Sequence, residues 1–211
     1  DYRRLLEAQM ADLDAQNRDS LGTINRNLFQ TTGYNDRSGN ITLDNVSETS
    51  DVGRQKKTFL DKIIENLTTL ADQEKANTQN INSYYSGLGD ITQSSQAYRL
   101  GEEASKFAKS RDKVNEQKTA GLNSLERALS DFLYSDTQSR EQLARDYSTK
   151  RDAAMNQTAD ALSKVGDQIN NLKLEYANAV YNGQDPTYIK EAIDANTNIF
   201  NALNALRTNN I

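Results

Sequence analysis

Apolar residues recur three and four positions apart through most of the chain, the spacing of one face of an α-helix. In residues 1–29 they are Leu6, Met10, Leu13, Leu21, Ile24 and Leu28. A second helix from Arg54 carries Phe59, Leu60, Ile63, Ile64, Leu67, Leu70 and Ala71 on one face. A third resumes near Gln96 or Glu102 with Phe107, Val114, Leu122, Leu125, Leu129 and Phe132. A fourth spans 138–181, where Leu162, Val165, Ile169, Leu172, Tyr176 and Ala179 are spaced 3, 4, 3, 4, 3. The last covers 187–208, with Ile189, Ile193, Asn196, Phe200 and Leu203 at 4, 3, 4, 3. The last two patterns are heptad seams of coiled-coil type.

Polar and turn-forming stretches separate these runs. Residues 30–53 form a turn-rich loop, in which Asp36-Arg37-Ser38-Gly39 is suited to close a small hairpin between Tyr34 and Ile41. The segment 54–137 is expected to be helical but broken near 83–95, where Gly87 and Gly89 cost helix stability. Ser135-Asp136 reads as a cap or kink before the segment 138–211. The single proline, Pro186, marks the one enforced reversal. Asn182-Gly183 suits a helix end, because both residues tolerate the left-handed conformation. Asp185-Pro186 suits a helix start, a carboxylate N-cap followed by a residue preorganised for the first turn. So short a link makes its two helices an antiparallel hairpin.

The fold class expected is therefore all-α: an elongated bundle of long amphipathic helices with a C-terminal antiparallel helical hairpin. Its packing seam is Leu162, Val165, Ile169, Leu172, Tyr176, Ile193, Phe200 and Leu203. The helix before the turn, about 65 Å long at 1.5 Å per residue, outruns its partner. Its remaining half, around Leu143, Tyr147, Ala154 and Met155, needs another helix or another subunit.

Composition sharpens this. Hydrophobic residues make up 36% of the chain, below the usual share of about 45–50%. Asn, Gln, Ser and Thr fill the difference, so each helix buries little. A net charge of −5 and a pI near 4.9 argue against bulk electrostatic binding of nucleic acid or anionic membranes. The richest charge cluster, Arg99 to Lys118, alternates in sign, as solvated helix faces do. Absent Cys and His remove thiol chemistry, disulfides and the commonest metal ligand. No apolar run is long enough to cross a membrane. The chain starts at Asp1 rather than Met, which fits removal of an upstream segment, so the lack of a signal carries little weight.

Candidate chemistry is sparse. Ser110-Arg111-Asp112-Lys113 matches Ser-x-x-Lys, but its dense charge keeps Lys113 solvated and protonated, and no companion motif follows. The loop around Asp36–Ile41 is spaced in part like a calcium loop, yet Tyr34 and Asn45 occupy the positions that need carboxylates. Sequons at Asn40, Asn45, Asn66 and Asn156 number about what chance gives. Gly87-x-Gly89 lacks the third glycine and the strand of a dinucleotide site. No cofactor or metal is expected. Ten Tyr against five Phe suit protein interfaces or an amphipathic filling of a thin core.

Asn/Gln/Ser/Thr-rich helices, frequent Tyr, and stretches such as Ile81-Asn82-Ser83-Tyr84-Tyr85-Ser86-Gly87 and Ser94-Ser95-Gln96-Ala97-Tyr98 resemble the helical virion proteins of tailed bacteriophages. Internal or ejection proteins and neck or tail components are of this kind. The resemblance is one of style and carries over no functional residue. It implies a non-enzymatic structural subunit in many copies, located in the virion and partnered by itself and other structural proteins. Neither a specific nucleic acid nor a transmembrane segment is expected. The alternative is a bacterial surface or secreted protein, a helical filament or adhesin stalk. A hydrolase using only carboxylates would need two acids facing each other in a pocket, and the sequence shows only scattered acids.

Overall fold

The structure is a computed structural model that describes residues 2–88 and 93–209. The side chain of Leu6 and residues 89–92 of the expected break lie outside the described residues. The fold is all-α, with four helices among the described residues: α1 (Tyr2–Thr32), α2 (Asp51–Ser86), α3 (Gln93–Tyr181) and α4 (Thr187–Asn209). No strand occurs among the described residues. The helices form two compact units, one of residues 24–137, the other of 1–23 with 138–211.

Three expectations about boundaries are corrected. First, the loop is 33–50, not 30–53. α1 runs on to Thr32 and ends at Gly33, whose φ of 85° is the left-handed cap conformation. α2 starts at Asp51 because Ser50 is its N-cap, the hydroxyl accepting the Gly53 N–H at 3.1 Å. Gly53, in the first turn of α2, serves close packing. A Cβ there would lie 1.9 Å from the Ser47 carbonyl oxygen.

Second, no hairpin joins Tyr34 to Ile41. The Asp36 carboxylate instead accepts from the backbone N–H and the hydroxyl of Ser38, an Asx turn. The Asn45 side chain then staples the rest, accepting from the Thr42 N–H and donating to the Asn40 carbonyl, each at 2.7 Å. This frame aims Ile41, Leu43 and Val46 inward. They form a core with Leu28, Val52 and Leu129, flanked by Leu122, Leu125, Phe132 and Leu133.

Third, Ser135-Asp136 does not cap a new helix: the expected third and fourth helices are one helix, α3. Asp136 is turned sideways, its carboxylate only 3% exposed and 3.9 Å from the Arg37 guanidinium. Arg37 also donates to the Leu133 carbonyl at 2.9 Å. A polar pair expected to end a helix therefore anchors the loop to its flank.

In the same unit α2 runs antiparallel to the first part of α3. Phe59 lies over Gly121, Glu74 pairs with Arg111, and Asn82 accepts from Gln96 at 3.0 Å. Between them Ile63, Phe107 and Val114 are buried. Of the predicted α2 face, Ile64 and Ala71 are exposed. In the other unit, the half of α3 left over by the C-terminal hairpin is met by α1. Tyr147 donates to the Asp14 carboxylate at 2.5 Å. Leu13, Gln16, Asn17 and Ser20 of α1 border a shallow groove with Leu143, Asp146 and Lys150 of α3.

Candidate functional site

The hairpin made by the end of α3 and by α4 holds the residues singled out by the heptad pattern. Leu162, Ile169 and Leu203 are buried, together with Ala179 and Ile189. Val165, Leu172, Tyr176, Ile193 and Phe200 are half-buried. Gly166 sits against the Phe200 ring, 3.7 Å from the position its Cβ would take. Each of these two residues is about 17 positions from the middle of the turn, as antiparallel pairing requires. Asn196 lies within the apolar seam of α4 and satisfies its amide by donating to the Ala192 carbonyl at 2.8 Å.

The turn follows from its residues. Asn182 closes α3 and Gly183 follows with φ at 70°. The Gly183 N–H reaches the Val180 carbonyl at 3.1 Å and the Gln184 N–H reaches that of Ala179 at 2.9 Å. That pair of bonds is the Schellman motif, which satisfies carbonyls the helix end leaves open. Asp185 then caps α4, its carboxylate accepting from the Thr187 hydroxyl at 2.5 Å and the Thr187 N–H at 3.0 Å. Those two hydrogen bonds, the hydroxyl's first, hold its carboxyl below the usual carboxylate range. Pro186, preset for the first turn, gives its carbonyl to the N–H groups of Ile189 and Lys190.

A second stripe on α4 escaped the sequence reading. Tyr188, Ala192, Ala195, Ile199 and Ala202 are spaced 4, 3, 4, 3, each one residue before a seam position. Tyr188 is 71% and Ile199 44% exposed. The signal was present in the spacing, but alanines do not stand out as a face. Leu174, Val180 and Tyr181 on α3 are exposed as well.

Elsewhere the candidate chemistry stays apart. Lys113 is exposed, on the solvated face of α3, while Ser110 is half-buried. In the loop, the Asp36 carboxylate is engaged in its own turn and Asp44 pairs with Lys56 at 3.4 Å. Glu48 is exposed. Asp136, the one buried acid among the described residues, faces Arg37. No group of three His, Cys, Asp or Glu that could hold a metal ion occurs among the described residues. No helix among them is long and apolar enough to cross a membrane. Comparison with protein-family models, with curated proteins and with solved structures found no match.

Proposed function

We propose that this chain is a non-enzymatic structural subunit that assembles with copies of itself by helix packing, as a part of a tailed-bacteriophage virion. The observation that carries this reading is the thinness of the hairpin. Two helices make one layer, and a stable helical core needs a second layer over it. Along this layer half the seam is only half-buried, and Tyr188 and Ile199 of α4 stand exposed one position before it. Apolar residues lined up on one exposed helix face suit cover by another helix. Tyrosine suits that use, since it gives apolar area and one hydrogen bond with few rotatable bonds. The mechanism is mechanical: the closed loop core fixes the shape of one unit, and the open hairpin supplies contacts.

The virion assignment rests on the compositional likeness set out above. It is tested by following the chain through gradient purification of particles from the producing cells. Constant stoichiometry with purified virions is the expected result. Recovery with cell envelopes would replace it with a surface filament, and recovery as a free monomer would remove the assembly reading.

A further inference from the structure

We infer that α4 is the self-association helix: its second stripe packs antiparallel against the same stripe of a second copy, so that two hairpins make a four-helix bundle. This rests on the assembly reading above and names its partner and contact.

Charge identifies the occupant. A two-fold contact sets a surface against itself, so a charge near the axis would meet its own like. The stripe Tyr188, Ala192, Ala195, Ile199 and Ala202 carries none: Lys190 and Asp194 of α4 face away from it, and Glu191 borders it about 60° around the helix. A face without charge also has nothing to offer a nucleic acid. With Ala195 set against Ile199 of the other copy, the two-fold lies at position 197 of α4. The antiparallel pairing seen at Gly166 and Phe200 places that level at Ile169 on α3. Lys164 and Glu175 lie five and six positions to either side of Ile169 along α3, and both are exposed.

Helix geometry at about 100° per residue turns them to the side on which the α4 stripe lies. One two-fold axis thus does two things. It sets Ala195 against Ile199 of the other copy, and Lys164 against the other copy's Glu175. Every neighbouring helix pair in the bundle is then antiparallel, the arrangement that short-linked bundles favour.

The area fits. The hairpin face is about 35 Å long and about 20 Å wide, two helix diameters. It offers roughly 700 Å² per copy, or about 1,400 Å² for the pair, within the range of stable specific interfaces.

The test uses the full chain. Ile199→Asp should at least halve the native mass in light scattering while circular dichroism stays helical. An unchanged mass would overturn the inference and leave the assembly reading in place. A wild-type chain that is already monomeric would overturn both. Lys164→Glu and Glu175→Lys should each weaken association about three- to tenfold, and the two together should restore it. If the double variant is no better than either single one, the register is wrong. Should Ile199→Asp lose helicity, crosslinking decides. The chain has no cysteine, so Ala195→Cys with a short bismaleimide should give a covalent dimer and Asp194→Cys should not. Equal yields from the two would overturn the inference.

Discussion

The loop core and the C-terminal hairpin spend similar numbers of apolar residues and obtain different results. In the core, Ile41, Leu43 and Val46 come from a segment that crosses between helices, so Leu28 and Leu129 are enclosed from several sides. In the hairpin, Leu203 and Ile189 are as deeply buried as these, yet their seam neighbours Val165, Leu172 and Ile193 stay half-open. The difference is the number of layers, not the quality of the apolar pattern. A closed core stabilises the chain that contains it, and an open seam is finished by what docks on it.

Substitutions can break this contrast, the deepest first. Leu28→Ala, at a side chain with 0% exposure, should cost about 3–5 kcal/mol in denaturant unfolding. Val165→Ala, half-buried, should cost about 1 kcal/mol in the isolated chain, and its cost should grow with protein concentration as the seam is covered. A concentration-independent effect would count against an open seam.

Close backbone packing gives the next test. A Cβ at Gly121 would come within 2.2 Å of the Phe59 ring, so Gly121→Ala should cost about 1–3 kcal/mol. Gly101, where nothing lies within 4 Å, should behave oppositely: Gly101→Ala should stabilise by about 0.5–1 kcal/mol. Same-sign shifts in melting temperature at the two sites would contradict the packing described. At the α2 cap, Ser50→Ala should cost about 1 kcal/mol.

The smallest effect is pH-dependent. Asp185 has a folded value below its unfolded one, so its contribution is fully present above about pH 4 and is lost as pH falls through the folded value. Melting curves of Asp185→Asn should lie below wild type at neutral pH and converge with it in acid.

What was legible in the sequence follows the range of the interactions. The hairpin could be read because its information is local: heptad spacing on each side, and Asn182-Gly183 and Asp185-Pro186 as stop and start. The loop could be read as a loop from its turn residues, but its anchoring could not, because residues in it are used at long range. Arg37 finds its partners 96 positions away at Leu133, and at Asp136. Spacing alone made Asp136 an interruption, where a lateral partner made it an anchor. Gly53 fell inside the expected loop because no pattern records that Ser47 must pass over it. The second stripe of α4 was hidden for another reason: alanine fills a helix face without marking it as apolar.

The central claim, that the hairpin is finished by another copy, is tested most directly by the native mass of the wild-type chain. Light scattering over a wide concentration range should give a multiple of 23.6 kDa that falls on dilution. A helical particle that stays at 23.6 kDa at every concentration would contradict the account.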